Sequence, residues 1–323
     1  MITAARPRLA DEDKLRLGTD IQRRLGIKTV RNESLARFTT MRVGGQADLF
    51  AEVRNLFELR GIVRFVLSRD VPLFLIGRGS DLVISDSGVA GLVVVVRAQM
   101  ERIEGQRLIA DAGLPMAKAA TVSKDAGLSG LEFGLAIPGT VGGAVWANAG
   151  AHDADVRSRL VQASVIGPDG KEATFGPEGL GMAYRETRLK QARPGQPEVV
   201  TQAIFELEPA HPDTINERLD EIRRWRQAHQ PIGQKSAGSV FRNPEGDSAG
   251  RLIDASGLKE RRVGGAEVSA KHANFIVNTG GATARDVRLL AQQVRDTVAQ
   301  EHGVRLRYEV EFAGEWDEPD LWT

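Results

Sequence analysis

The chain has 323 residues, enough for two or three domains of ordinary size. Basic and acidic side chains number 43 each, so no net field draws the molecule to nucleic acid or an anionic membrane, and any anion site must be local. There is no cysteine, which excludes disulfides, thiolate metal sites and a cysteine nucleophile, while 41% hydrophobic and 27% charged residues describe a globular chain rather than a disordered one.

Residues 1–20 lack the apolar core of a secretory signal, and the longest apolar runs fall far below the roughly 20 residues of a membrane helix. A soluble, cytoplasmic protein is expected. A first helix is predicted over residues 14–25, with Leu17, Ile21 and Leu25 on one face and Gly26 as its stop. Asn55 and Glu58 form a capping-box pattern ahead of a second helix bearing Leu56, Leu59, Val63 and Val66. Residues 71–76 read as a buried strand entering a glycine turn, and residues 82–84 and 92–96 as further strands. A helix over residues 115–126 has proline in its first turn and Gly127 as its stop.

The stretch 130–150 is rich in glycine and alanine, is broken by Pro138, and reads as too irregular for a core element. Strands follow at 161–166 and 199–207, with a loop at 192–197. Asp213 is expected to cap a helix carrying Ile215, Leu219, Ile222 and Trp225 that ends at Pro231. Thr283 and Asp286 open another, with Val287, Leu290, Val294 and Val298 on its apolar face and Gly303 closing it. The last strand alternates: Val304, Leu306, Tyr308, Val310 and Phe312 face one way, and Arg305, Arg307, Glu309 and Glu311 the other. The pattern is α+β, with units 1–98, 99–210 and 211–323. Residues 1–35 and the acidic tail after Gly314 read as surface extensions.

Three segments carry candidate chemistry. The run 137–150 holds Gly139, Gly142, Gly143 and Gly150 with Pro138, Thr140 and Asn148. A diphosphate needs several donors at once, and glycine backbone supplies them without a Cβ in the way. The bland alternative, a glycine-rich connection, explains the glycines alone but not their company. The turn Gly77-Arg78-Gly79-Ser80-Asp81 is neither a dinucleotide fingerprint nor a Walker loop, because Leu82 stands at the third glycine position and no Gly-Lys-Ser/Thr follows. On this segment alone a phosphate-contacting turn and a plain turn stand equal. Ser239 lies in Ser-Ala-Gly-Ser-Val-Phe with no nucleophile elbow, and a serine in a turn is ordinarily structural. Arg185 suits a carboxylate clamp, whereas pattern alone makes Glu309 a solvated carboxylate. The five histidines have no metal spacing, so no metal is expected.

The order of motifs resembles UDP-N-acetylenolpyruvoylglucosamine reductases, from about Phe38 to Gly314: Thr39-Thr-Met-Arg-Val-Gly-Gly45, Gly77-Arg-Gly-Ser-Asp-Leu82, the run from Gly134 to Gly150, Tyr184-Arg185, Ser236 to Pro244, Ala249-Gly-Arg-Leu-Ile253, Lys271-His-Ala-Asn274 and Tyr308-Glu-Val310. The serine motif and the lack of room for an extra substrate loop resemble the shorter subclass. The resemblance implies a vanillyl-alcohol-oxidase-type FAD-binding module of two subdomains plus a C-terminal α+β substrate domain. It implies non-covalent FAD held by Gly77, Arg78, Gly79, Ser80 and Asp81, and by Pro138, Gly139, Thr140, Gly142, Gly143, Ala144, Asn148 and Ala149.

By the same resemblance NADPH reduces the flavin and leaves, and the enolpyruvyl UDP-sugar takes its place in peptidoglycan precursor synthesis. Flavin N5 then gives hydride to C3 and Ser239 a proton to C2, while Arg185 and Glu309 stabilise the developing charge, Glu309 as a protonated donor. Tyr184, Arg185 and Asn243 are assigned to substrate, Asn243 to its diphosphate. No nucleic acid, membrane or protein partner is implied. The chain departs from the family at Asp81, where asparagine is usual, and at Ala151-His152-Asp153, where alanine, tyrosine and glycine are common. Two rival readings share the glycine loops: another flavin oxidoreductase of this fold, such as a sugar-alcohol oxidase, and a non-catalytic nucleotide-binding homologue.

Overall fold

The computed structural model describes residues 7–193 and 195–316, so the outer parts of both expected extensions lie outside the described residues. Helix α1 (Asp11–Leu25) carries three acidic residues in its first turn and leaves through Gly26 at φ 71°. Leu17 and Ile21, one turn apart, are buried, and Thr29–Arg31 pairs antiparallel with Ala47–Val53. Residues 11–31 are therefore part of the first layer, a correction to the expected extension.

Helix α2 (Leu56–Leu67) begins where the Asn55 side chain accepts from the Glu58 N–H at 2.9 Å, and it buries Leu59, Val63 and Val66. The first sheet runs Thr29–Arg31, Ala47–Val53, Val89–Val96 and Leu73–Ile76, the last three mutually parallel. The near-continuous valine run suits a parallel strand covered on both faces. The second sheet is antiparallel, in the order Glu172–Phe175, Leu160–Ile166, Val199–Glu206, Arg107–Asp111 and Glu101–Glu104. One apolar core joins the two sheets, with α2, α3 (Met116–Asp125) and α4 (Val141–Ala147) packed into it.

Helix α4 corrects the reading of 130–150 as wholly irregular. Thr140 caps it, and Val141, Ala144 and Val145 are buried. Helix α5 (Pro212–His229) is capped by the His211 side chain, which accepts from the Asp213 N–H at 3.3 Å, so Asp213 sits in the first turn rather than at the cap. The last third has its own core beneath α6 (Ala249–Ala255), α7 (Ala284–His302) and the sheet Lys235–Ser239, Phe275–Asn278, Ala266–Val268, Arg262–Val263. Thr283 and Asp286 form the capping box of α7, and Gly303 ends it at φ 69°.

The alternation after Gly303 holds, since Leu306, Val310 and Phe312 are buried, yet the regular strand is only Glu311–Ala313, preceded by a single antiparallel bridge between Tyr308 and Phe241. That short strand runs parallel to Leu82–Ile84, bringing the chain's end back to its first third.

Candidate active site

A cavity of about 1280 Å³ lies where the three regions meet, with walls from the turn after Ile76, the start of α4, the segment 185–200 and the last sheet. Ordinary ligand pockets hold about 300–1,000 Å³, so this one has room for a dinucleotide and part of a second ligand.

One wall consists of two facing loops. A Cβ on Gly77 would lie 2.4 Å from Thr140 Oγ1, and one on Gly142 would lie 2.8 Å from the Ala112 Cβ, so both glycines allow protein to pack on protein. The N–H groups of Val141 and Gly142 donate to the Leu114 and Ala112 carbonyls, each at 2.8 Å. Gly142 thus anchors the loop instead of offering its amide to a ligand, as the sequence suggested. The N–H groups of Arg78, Gly79, Ser80, Gly139 and Thr140 donate to no other described residue, and all five residues line the cavity. Converging amides of this kind fit a diphosphate. Gly143 adds an open flank, where the nearest atom to an added Cβ would be Thr140 Oγ1 at 3.7 Å. Pro138, Ala144 and Ala149 complete this wall.

Asn148 does not belong to it. Its side chain is buried outside the cavity wall, and its amide protons go to Asp155 Oδ2 at 3.0 Å and the Ala183 carbonyl at 2.8 Å. Asp81 does line the cavity, and burial, followed by the nearby Glu311 charge, pushes its carboxyl up to about 6 against the pull of Lys190.

Ser239, Arg185 and Glu309 line the same cavity. Ser239 ends the strand Lys235–Ser239, where it pairs with Phe275 just after a register shift that falls between Ser236 and Ser239. The Glu309 N–H donates to the Val240 carbonyl at 2.8 Å, which sets Glu309 beside the serine strand. Its carboxylate accepts from Arg185 Nε at 2.6 Å, so it is an ion-paired, half-buried group rather than a solvated one. Arg185 Nη2 donates to the Gly150 carbonyl at 2.6 Å, so Nε and Nη2 are both engaged within the protein. Glu309 is the acceptor in that pair, whereas the donor role implied by the resemblance belongs to the substrate complex.

Asn243 lines the cavity while its oxygen accepts from the Ala249 N–H at 3.1 Å. Tyr184 stays outside the wall, 54% exposed.

Sequence reasoning missed Lys190 as a site residue. It donates to Glu311 Oε1 at 3.1 Å and lies 4.6 Å from the Trp146 ring centroid. Glu311 shares the alternating face of Glu309 and was recoverable from that periodicity; Lys190 left no such signal. The rim also gains Trp225, expected in a helix core but 41% exposed and 5.0 Å from His152. Among the described residues no cluster of three or more candidate metal ligands occurs, and no helix is long and apolar enough to cross a membrane.

Unpaired loop amides sharing one cavity with a serine and an arginine–glutamate pair fit a nucleotide-binding enzyme, and the family matches make it a flavin-dependent oxidoreductase. Residues 47–176 match the FAD binding domain family, and residues 230–313 match the UDP-N-acetylenolpyruvoylglucosamine reductase C-terminal domain. UDP-N-acetylenolpyruvoylglucosamine reductase 2 of Symbiobacterium thermophilum is 44% identical across 88% of this chain and 92% of its own. The reductase of Moorella thermoacetica is 41% identical across 94% and 99%. The crystal structure of the Thermus caldophilus reductase (MurB) matches with a TM-score of 0.75 at 36% identity, covering 88% of this chain and 98% of that one. The chain belongs to the UDP-N-acetylenolpyruvoylglucosamine reductase family. Its α+β fold is the expected flavin-binding module followed by a C-terminal substrate domain.

Proposed function

We propose that the chain reduces UDP-N-acetylglucosamine-enolpyruvate to UDP-N-acetylmuramate, a peptidoglycan precursor, with bound FAD and with NADPH as reductant. The convergence of Ser239, Arg185 and Glu309 on the cavity lined by unpaired loop amides carries this reading. When bound and reduced, the flavin supplies a hydride to C3 of the enolpyruvyl group. Arg185 takes the substrate carboxylate through its remaining donors, where charge spreads from C2. Glu309 and the Gly150 carbonyl fix the guanidinium plane for that contact. The Ser239 hydroxyl delivers the proton to C2, a step open to so weak an acid only because the receiving carbon is strongly basic.

Arg78, Gly79, Ser80, Gly139 and Thr140 hold the FAD diphosphate through backbone amides, and Asn243 contacts the substrate diphosphate. Separate sheets at 29–96, 101–206 and 235–278 support two flavin-binding units, 1–98 and 99–210, and a substrate unit, 211–323. We place the reaction in the cytoplasm, where NADPH and UDP-sugars are held.

Rapid mixing tests this with the flavin spectrum as readout. Ser239→Ala is expected to bleach with NADPH at the parent rate, while reoxidation by the enolpyruvyl substrate slows by on the order of 10²–10⁴-fold. Equal slowing of both half-reactions would make Ser239 structural and remove the proposed proton donor.

A further inference from the structure

Among the described residues eight other than glycine have positive φ, and four of them fall in two short segments that touch each other. Asn148 (43°), His152 (52°) and Asp153 (64°) follow α4, and Arg185 (56°) stands at the tip of the turn 183–186. Such conformations persist where surrounding contacts over-determine them, and they concentrate at functional sites.

The contacts are specific. Ala183 and Glu186 exchange both backbone hydrogen bonds at 3.0 Å, which leaves Tyr184 and Arg185 as the turn's tip. The Ala183 carbonyl takes a second bond from Asn148 Nδ2 at 2.8 Å. The other Nδ2 proton goes to Asp155 Oδ2 at 3.0 Å, and Asn148 Oδ1 accepts from the Arg157 N–H at 2.9 Å. Asn148 is 1% exposed, and its two donors and its oxygen are all engaged. Two further bonds tie the same segment to the end of α4: Thr187 Oγ1 to the Trp146 carbonyl at 2.6 Å, and Arg185 Nη2 to the Gly150 carbonyl at 2.6 Å.

We infer that Asn148 is the positioning residue for Arg185. Its amide locks the 183–186 turn to α4, the helix whose other end carries the diphosphate loop, so the substrate arginine is registered against the flavin site. Ending a helix with a left-handed residue requires only a backbone that glycine supplies as well. The buried amide, with both protons aimed at defined oxygens, does something that capping does not require. Aspartate would also accept the left-handed φ, but it would set carboxylate oxygens against the Ala183 carbonyl and Asp155.

The inference rests on the proposed role of Arg185, so Arg185→Ala serves as reference. Holoenzymes of Asn148→Gly and of Asn148→Asp combined with Asp155→Asn are compared with the parent for flavin content, thermal midpoint and both half-reactions. Asn148→Gly keeps the backbone and deletes the amide. It is expected to retain flavin and its NADPH reduction rate while reoxidation by the enolpyruvyl substrate slows by on the order of 10²-fold, as a misplaced catalytic group does. The double variant restores the 148–155 bond in the reverse sense but gives Ala183 no donor, so its thermal midpoint is expected to recover while reoxidation stays slow. Reoxidation at the parent rate in either variant, or loss of flavin and of both half-reactions together, overturns the inference. If Arg185→Ala itself reoxidises normally, the role of Arg185 fails instead.

Discussion

Asp81 is a carboxylate that lines the cavity next to the unpaired amides of Arg78, Gly79 and Ser80, and its environment disfavours charge. Its carboxyl sits at about 6 instead of the ordinary 3.8, because burial and Glu311 oppose ionisation. The folded protein therefore binds this proton more tightly than the unfolded chain. That contribution is complete below pH about 4 and is lost as the pH rises through about 6. Asp81→Asn in flavin-free protein is expected to melt above the parent at pH 8 and level with it near pH 4. The gap is at most about 3 kcal/mol, less where cavity water screens the group. A gap independent of pH would mean that Asp81 carries no such penalty. Gly77 and Gly142 mark the limit of sequence reading at this scale. The absence of a Cβ is legible, but a ligand and a protein neighbour require it equally, and here the neighbours are Thr140 and Ala112.

Elements were legible where their signals are local. Asn55 with Glu58, and Thr283 with Asp286, announce α2 and α7, and Gly26 and Gly303 end their helices as read. Helix α4 was not legible, because Gly142 and Gly143 oppose helix by roughly 1 kcal/mol each, and what holds it are bonds to Ala112 and Leu114 from another part of the chain. This conflict between propensity and structure sits at the proposed flavin loop and gives a prediction. The methyl of Gly143→Ala meets nothing nearer than Thr140 Oγ1 at 3.7 Å, an ordinary contact, so the flavin-free protein is expected to gain about 0.5 kcal/mol in urea unfolding. FAD affinity, followed by flavin fluorescence, is expected to fall about tenfold, because the added methyl occupies the flank of the loop where the diphosphate approaches the backbone. Unchanged affinity would place the diphosphate away from the start of α4.

At the scale of the whole molecule, the sequence showed which face of the last segment turns inward but not which strand it joins, since Leu82–Ile84 lies far away in the chain. That return is secured by three ion pairs linking the segment 185–190 to the last third: Arg185 with Glu309, Glu186 with Arg242, and Lys190 with Glu311. The third is the most enclosed, with side chains 10% and 18% exposed. Removing one partner of an enclosed pair weakens the compensation of the other charge, whereas neutralising both removes the charge along with its partner. In urea unfolding of the flavin-free protein, Lys190→Met is therefore expected to lose more stability than Lys190→Met combined with Glu311→Gln. Loss of Lys190 also removes the cation that restrains the Asp81 carboxyl, so the pH at which stability declines should move upward in the single variant. A double variant as unstable as Lys190→Met would show that the pair contributes through packing against Trp146, and that charge is not what fastens the last strand to the cavity wall.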